Sequence, residues 1–187
     1  MRRIVVSEFV SLDGVMEGPG PDDPYQHAGW TFGFPDPEGM QYKLDEVMAH
    51  DVLLLGRLTY EGFAAAWPGR QDEVGFADKM NGMEKYVVSG TLQRAEWSNS
   101  SVISLEAVAA LKQEPGGDIL IAGSRLLVQA LLAHSLIDEI RLMVFPIVLG
   151  TGKRLFGDAS CPLALKLLDS RPLGSGTLVL TYGPATT

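Results

Sequence analysis

Cysteine is almost absent from this sequence, and that absence limits the chemistry open to the chain. The single cysteine among 187 residues, Cys161, cannot form an internal disulfide. No base adjoins it in the sequence, so we predict a small buried apolar side chain rather than a nucleophile. The three histidines, His27, His50 and His134, are far apart and lack partners at metal-ligand spacing. We therefore expect no metal site.

Basic residues and long apolar runs are also in short supply. Lysine and arginine number 15 against 23 aspartates and glutamates, which gives a formal charge of −8 and an isoelectric point of about 4.8. This balance argues against nucleic acid as a partner, although local cations can still hold a small anionic ligand. No apolar run is long enough to cross a bilayer, and Glu8 and Asp13 interrupt the first apolar stretch too early for a signal peptide. We predict a cytoplasmic protein without a membrane partner.

Familiar nucleotide-binding and hydrolase fingerprints are missing as well. The stretch GTGKRL at 150–155 contains G-x-G, but Leu155 stands where a dinucleotide-binding turn has its third glycine. Ile147 stands where a P-loop has its first glycine. No G-x-S-x-G motif occurs, which argues against a serine hydrolase with a nucleophile elbow. A ligand site has to be sought elsewhere in the chain.

What the sequence does contain is an alternation of short apolar segments and amphipathic ones. Its length fits a single domain, 1–187. The pattern predicts strands at 3–10, 52–55, 84–90, 100–105, 118–123, 138–150, 163–171 and 176–183. It predicts helices at 36–50, 59–66, 104–113 and 124–135. Strands that alternate with helices indicate a mainly parallel α/β sheet, and the last strands, which follow one another directly, indicate antiparallel additions.

Small and polar residues follow three of these strands, at the points where helices or turns begin. The stretches are LLLGRLT (53–59), YVVSGTL (86–92) and ILIAGSRLL (119–127). In an open α/β sheet, ligands bind beyond the carboxyl ends of the strands, and a helix start attracts phosphate. Arg57 adds a cation. Two interpretations stay open: the three segments line one side of an extended phosphorylated ligand, or they are ordinary turns.

Three carboxylates near the amino terminus bear on a reductase reaction, in which hydride from a cofactor is matched by a proton. Asp13 lies in SLDG, at a turn directly after the first strand, and Asp36 and Glu38 lie at the start of the first helix. The plainer interpretations are an Asp-Gly turn for Asp13 and an N-cap before Pro37 for Asp36. Both interpretations remain open, and Asp13 and Glu38 are the candidate catalytic residues.

Several pieces of the chain together resemble the dihydrofolate-reductase-like superfamily. More closely, they resemble stand-alone proteins related to the C-terminal reductase domain of RibD, the bifunctional riboflavin-biosynthesis deaminase/reductase. The pieces, in family order, are SLDGVMEGPG, LLLGRLTYEGF, KYVVSGTL, GGDILIAGSRLLVQALLAHSLIDEIRLMVFPIVLGTGKRLF and the final strand pair. The resemblance implies a three-layer α/β/α fold whose mixed, mostly parallel sheet has about eight strands and an antiparallel C-terminal hairpin. It also implies a homodimer.

The same resemblance implies an NADPH-type cofactor, with NADH as the alternative, lying across the strand ends. The Gly-Arg-x-Thr turn would contact its phosphates, the Ser-x-Thr-Leu segment its adenosine ribose and 2′-phosphate, and the Gly-Ser helix start its pyrophosphate. The first strand and its loop, with Ser7, Asp13, Gly14 and Val15, would lie beside the nicotinamide and the substrate, and Asp13 is our first choice to orient the substrate or relay a proton. Carried onto this chain, the cofactor-binding residues are Ser7, Gly14, Val15, Gly56, Arg57, Thr59, Ser89, Thr91, Leu92, Gly123 and Ser124.

Departures from the family pattern affect what the resemblance implies. Many relatives carry an arginine where this chain has Gly90, so the choice between NADPH and NADH stays open. Dihydrofolate reductases place a carboxylate where this chain has Met40, so folate reduction is not the expected main activity. A single cysteine cannot supply the zinc site of the deaminase half of RibD.

The resulting prediction is an NAD(P)H-dependent reductase that transfers hydride to a C=N or C=O bond. Its substrate would be small and heterocyclic, pterin- or pyrimidine-like, as for the similar riboflavin-biosynthesis reductase. The alternative is a non-catalytic dinucleotide-binding sensor or an interaction protein on the same fold. Measuring whether the chain binds and oxidises NADPH separates these classes.

Overall fold

A single sheet forms the centre of the computed structural model, which describes residues 1–157 and 162–185; Cys161 lies outside these ranges. The strands are β1 (Ile4–Ser11), β2 (Val52–Gly56), β3 (Glu84–Val88), β4 (Ser100–Ile103), β5 (Ile119–Ala122), β6 (Glu139–Phe145), β7 (Leu165–Pro172) and β8 (Leu178–Pro184). The helices are α1 (Pro37–Met48), α2 (Arg57–Ala66), α3 (Phe76–Gly82), α4 (Ala107–Gln113) and α5 (Arg125–Ala133), with a 3₁₀ turn at Trp30–Gly33. Within the described ranges, no helix is long and apolar enough to cross a membrane.

Most neighbouring strands of the sheet run parallel. The spatial order is β4-β3-β2-β5-β1-β6-β8-β7. The ladders β1–β5, β1–β6, β2–β3, β2–β5 and β3–β4 are parallel, whereas β8 pairs antiparallel with both β6 and β7. The predicted mixed, mostly parallel sheet with an antiparallel C-terminal hairpin is confirmed. Since β1 lies between two parallel neighbours, its carboxyl end faces the same edge as those of β2, β3 and β5.

Side chains of β1 alternate between the two faces of the sheet and contribute to a core on each. Ile4 and Val6 belong to a cluster that includes residues of α4 and α5. Val5, between them, belongs to a second cluster that includes residues of α1, α2 and α3. All three side chains are fully buried. Helices cover both faces of the parallel part of the sheet, which explains why β1 is apolar along most of its length.

Helix α1 begins where the sequence predicts, at Pro37 behind the N-cap Asp36. One oxygen of the Asp36 carboxylate accepts hydrogen bonds from the backbone N–H groups of Glu38 (2.9 Å) and Gly39 (3.1 Å). The other oxygen accepts one from the N–H of Ser175 (2.7 Å), in the turn between β7 and β8. Hydrogen bonding, from Ser175 first, lowers the pKa of Asp36. The structure therefore supports the N-cap interpretation, and the cap also ties α1 to the hairpin.

The clearest differences from the predicted elements concern α3 and β6. Helix α3 has only seven residues, FADKMNG, too few to show a helical repeat in the sequence. Its start is fixed by Asp72, whose carboxylate accepts hydrogen bonds from the N–H groups of Phe76 (2.9 Å) and Ala77 (2.6 Å). Strand β6 ends at Phe145 rather than at residue 150, because Pro146 has no N–H to continue the ladder.

Candidate cofactor site at the strand ends

Three neighbouring parallel strands end side by side at one edge of the sheet. Gly56, the last residue of β2, pairs with Val88, the last residue of β3, and Ser89 follows directly. Strand β2 also pairs with β5, whose last residue precedes Gly123. The structure therefore brings together the three segments that the sequence analysis singled out. We call this the strand-end edge.

Reciprocal hydrogen bonds hold the starts of α2 and α5 together at the strand-end edge. The hydroxyl of Ser124 accepts a hydrogen bond from the N–H of Gly56 (2.9 Å), and the hydroxyl of Thr59 accepts one from the N–H of Ser124 (2.9 Å). We call these three residues the strand-end clamp. The first N–H groups of each helix have no partner within it, and helix starts carry partial positive charge. Two such starts held together form a cradle for a phosphate or pyrophosphate.

Gly123 is the residue on which the clamp depends sterically. Its φ is +70°, a left-handed conformation that glycine adopts most easily. A Cβ at this position would lie 3.0 Å from Cγ2 of Thr59, closer than side chains normally approach. The missing side chain therefore lets α2 and α5 come together and leaves the backbone open to a ligand.

Two arginines lie at the starts of the clamped helices. Arg57 is the first residue of α2, and its half-exposed guanidinium pairs with Glu61 (2.9 Å) one turn later. Exposed pairs of this kind contribute little, so the guanidinium remains available to an anionic ligand. Arg125 is the first residue of α5 and acts electrostatically on Glu17, lowering the pKa of that carboxyl after the larger effect of Lys153. The sequence analysis missed Arg125, although it follows Gly-Ser much as Arg57 follows a glycine.

Ser89, Thr91 and Leu92 form a tight turn after β3. The hydroxyl of Ser89 accepts hydrogen bonds from the N–H groups of Thr91 (3.1 Å) and Leu92 (2.9 Å). Leu92 packs against the core cluster that contains Trp97, whereas Thr91 is exposed. The structure thus places the predicted segment beside Gly56 and leaves Thr91 as its member most open to a ligand. Ser89 and Leu92 shape the turn.

Glu8 is a buried acid beside the clamp, and the sequence analysis did not propose it as a site residue. Its Oε2 accepts a hydrogen bond from the N–H of Gly123 (3.0 Å), and its Oε1 has no partner among the described residues. Burial raises the pKa of Glu8 well above its ordinary value of 4.5, with a smaller opposing effect of Lys43. Burial therefore favours the uncharged form of this carboxyl. The sequence offered one signal for this residue, since Glu8 is the charged position in the mostly apolar stretch IVVSEFV.

Asp13 has its carboxylate occupied by neighbouring groups. It accepts hydrogen bonds from the hydroxyl of Ser11 (2.6 Å) and from the N–H groups of Leu149 (3.1 Å) and Gly150 (2.9 Å), and Arg154 lies 3.6 Å away. The Ser11 hydrogen bond is the main cause that lowers the pKa of Asp13 to about 2. Asp13 is thus ionised at neutral pH, which favours a role in holding the loop over one in moving protons. Its catalytic role stays a prediction.

The rest of the first loop docks on the same segment, 149–155. The carbonyl of Gly14 accepts a hydrogen bond from the N–H of Leu155 (3.1 Å), and Val15 forms an isolated bridge with Arg154. The predicted residues Gly14 and Val15 therefore lie where β1 leaves the sheet, with their backbone engaged by this docking. Their contact with a nicotinamide ring stays a prediction.

Glu38, the other candidate catalytic residue, is an exposed side chain. Its carboxylate lies 3.8 Å from Arg171 of β7, and 63% of the side chain is exposed. This contact directs it to the hairpin rather than to the strand-end clamp. Its catalytic role also stays a prediction.

A buried polar cluster beside Ser7 was not foreseen from the sequence. The ammonium of Lys43, on α1, donates a hydrogen bond to the Ser7 hydroxyl (2.7 Å) and pairs with the Glu46 carboxylate. Glu46 is nearly sealed from solvent and pairs with Arg141 of β6 (3.3 Å). The ammonium lies 5.3 Å from the ring centre of Phe9. In the sequence, Lys43 and Glu46 look like an ordinary surface pair, so nothing there signalled this cluster.

Most of the chain matches a known family. The model of the RibD C-terminal domain matches residues 2–179, so the chain belongs to the RibD C-terminal domain family. Two Bacillus subtilis (strain 168) proteins, the uncharacterized proteins YyaP and YwjB, are each 31% identical to it. The match with YyaP covers 97% of this chain and 94% of YyaP, and that with YwjB covers 92% and 93%. The resemblance to the RibD reductase domain is confirmed.

Solved structures share the fold at low sequence identity. A Shewanella sp. PV-4 protein named for riboflavin biosynthesis aligns at a TM-score of 0.72 and 19% identity, over 98% of this chain and 99% of its own. Enterococcus faecalis dihydrofolate reductase, complexed with NADP(H) and RAB-propyl, aligns at a TM-score of 0.65 and 15% identity. This alignment covers 98% of this chain and 97% of the reductase. Acinetobacter baumannii RibD aligns at a TM-score of 0.63 and 17% identity, over 100% of this chain and 59% of the RibD chain. These similarities establish the dihydrofolate-reductase-like fold.

The first prediction concerns Glu8, the buried acid beside the strand-end clamp. Because its pKa is raised, Glu8 stabilises the fold fully below pH 4.5, and this contribution is lost as pH rises through the raised value. Glu8→Gln keeps the shape and the acceptor oxygen but cannot ionise. Urea unfolding should show the wild type losing stability relative to the variant as pH rises from acidic to alkaline. Parallel stability curves would mean that Glu8 titrates normally.

The second prediction concerns the steric requirement at Gly123. Gly123→Ala places a Cβ in a left-handed conformation against Thr59, and we expect it to cost about 1–3 kcal/mol of unfolding free energy. The matched control is Gly62→Ala within α2, where a Cβ meets nothing within 4 Å. The control should gain about 0.5–1 kcal/mol. Denaturant unfolding of both variants measures the difference, and equal stabilities would refute the steric argument.

Proposed function

We propose that this protein is an NADPH-dependent reductase, with NADH as the alternative cofactor, acting on a C=N or C=O bond of a small heterocyclic substrate. The observation that carries the proposal is the strand-end clamp, which holds two helix starts together beside Arg57. Family membership supports the reductase class, and the NADP(H) complex of a similar fold supports the type of cofactor.

The residues at the strand-end edge fit a dinucleotide. The free N–H groups at the starts of α2 and α5 suit a pyrophosphate, because both helix starts carry partial positive charge. Gly56 and Gly123 leave the backbone accessible, and the guanidinium of Arg57 suits a phosphate on the adenosine ribose. Thr91, exposed on the next strand end, adds a hydroxyl.

When bound, a reduced nicotinamide dinucleotide supplies hydride and is itself oxidised by two electrons. The chain's own residues bind and orient it. The clamp fixes the phosphate cradle, and Glu8, whose burial favours the uncharged carboxyl, accepts the hydrogen bond of the Gly123 N–H. Asp13 holds the first loop against segment 149–155, which places that loop over the end of β1.

We also propose that two copies associate through the C-terminal hairpin, and that the protein works on a small molecule in the cytoplasm. Strand β7 is an edge strand, and its Leu167 and Leu168 are 50% and 53% exposed. Exposed apolar side chains on a sheet edge favour association with another chain.

A non-catalytic dinucleotide sensor is the second candidate. The observation in its favour is the state of the two candidate acids: Asp13 is ionised with its oxygens occupied, and Glu38 points towards the hairpin. Following NADPH absorbance with pterin, pyrimidine and quinone acceptors tests the two candidates. Oxidation with any of them supports the reductase, whereas binding without oxidation favours the sensor, and absence of binding contradicts both.

The third prediction concerns Arg57. Removing a charge-assisted hydrogen bond costs about 1.5–3 kcal/mol, or roughly 10- to 150-fold in affinity. We therefore expect Arg57→Ala to weaken NADPH binding by that factor and NADH binding far less, as measured by fluorescence titration. Glu61→Gln is the matched control, since it removes the ion-pair partner and keeps the guanidinium. Equal losses for NADPH and NADH in Arg57→Ala would show that Arg57 does not contact the 2′-phosphate.

A further inference from the structure

We propose that Ser7 donates the proton in the reduction, that Lys43 replenishes it, and that the reduced bond is therefore a carbonyl rather than an imine. This inference rests on the proposed function and names its substrate class. It starts from the hydrogen bond between the Lys43 ammonium and the Ser7 hydroxyl (2.7 Å), which joins α1 to β1.

The position of Ser7 places this pair next to the strand-end edge. Ser7 pairs with Ala122, the last residue of β5, and the next residue is Gly123 beside the strand-end clamp. Beyond this pair the β1–β5 ladder ends, while β1 continues alongside β6. The chain that follows β5 therefore separates from β1 immediately after Ser7. The hydroxyl of Ser7 lies at this point of separation, on the face of the sheet that α1 covers, and Ser7 is 3% exposed.

The surroundings of Lys43 orient its ammonium towards Ser7 and leave it within reach of solvent. Glu46 is held between Lys43 and Arg141, so its carboxylate balances a cation on each side. The face of Phe9 lies 5.3 Å from the ammonium, a further attractive contact. The Lys43 side chain is 18% exposed, against 1% for Glu46. The ammonium is thus fixed at Ser7 without being sealed from solvent, which can return a proton to it.

Carboxylic acids close to the edge are poorly placed for this task. Asp13 is ionised at neutral pH and has no proton to give. Burial raises the pKa of Glu8 and favours its uncharged form, but the carboxyl is sealed in the interior, with Oε2 on the N–H of Gly123. Ser7 backed by Lys43 is the remaining donor at this point of the described structure. The Ser7 hydroxyl accepts the hydrogen bond from Lys43, which leaves its own proton to be donated to a ligand at the point where β1 and the chain after β5 separate.

The chemistry of an ammonium donor selects the bond to be reduced. As the carbonyl carbon gains hydride, the π electrons move to oxygen, which becomes a strongly basic alkoxide. The Ser7 O–H bond breaks as its proton moves to that oxygen, and Ser7 takes a proton from Lys43, which recovers one from water. An imine nitrogen has to be protonated before hydride arrives, which calls for an acid stronger than an alcohol or an alkylammonium group.

The test uses two lysine variants and a matched control. Lys43→Met removes the charge. Lys43→Arg keeps the charge and the ion pair with Glu46, but a guanidinium does not release its proton. Lys79→Met is the control, because Lys79 pairs with Asp51 (3.0 Å) just before β2, at the opposite edge of the sheet. NADPH oxidation is followed with aldehydes and ketones, and in parallel with a dihydropterin as the C=N acceptor.

We expect the wild type and Lys79→Met to reduce carbonyl acceptors in preference to the dihydropterin. Both Lys43 variants should lose about 100-fold or more in kcat, with little change in KM, because proton transfer contributes at least that factor. NADPH affinity, measured by fluorescence, should stay the same in all variants. Carbonyl turnover by Lys43→Arg at the wild-type rate, or a preference of the wild type for the dihydropterin, would overturn the inference.

A binding measurement separates charge from proton supply. Benzoate, titrated into the NADP⁺ complex by calorimetry, offers a carboxylate oxygen in place of the alkoxide. It should bind about tenfold more weakly to Lys43→Met, and equally well to wild type, Lys43→Arg and Lys79→Met. Equal binding to Lys43→Met, or no binding to the wild type, would overturn the inference while the proposed function stands. Failure of the wild type to bind NADPH would overturn both.

Discussion

The contact between α2 and α5 is the constraint on which the rest of this account depends. Three strands carry their ends to one edge, but ends alone do not make a phosphate site. The hydroxyls of Ser124 and Thr59 each accept a backbone N–H across the boundary between the two helices. Because these hydrogen bonds hold the two helix starts together, the partial positive charges of both starts lie side by side at the strand-end edge. Arg57 then adds a full charge where the partial charges already converge.

The two acids Glu8 and Asp13 have pKa values shifted in opposite directions because their surroundings differ. Burial raises the pKa of Glu8, whereas hydroxyl and backbone donors lower that of Asp13 to about 2. The Lys43 ammonium is held between a hydroxyl, a carboxylate and an aromatic face. Residue type alone would have assigned proton transfer to the carboxylates. The contacts favour Lys43 and Ser7 for proton transfer instead, and Asp13 holds the first loop against segment 149–155.

The sequence carried enough to predict the strand-end edge but not the groups beneath α1. Gly56 and Gly123 stand directly after apolar runs, so their location at strand ends follows from local pattern. The contact between Lys43 and Ser7 joins residues 36 positions apart, and it depends on how α1 crosses β1. No local pattern encodes that crossing. The raised pKa of Glu8 likewise arises from burial, which only the assembled sheet provides.

Amide hydrogen exchange followed by NMR, with and without NADPH, tests the central claim most directly. The account predicts that NADPH slows exchange at the first-turn amides of both α2 and α5 together, because one pyrophosphate contacts both helix starts. Amides of the C-terminal hairpin, remote from the clamp, should not change. Protection of one helix start without the other, or NADPH binding with neither protected, would contradict the account.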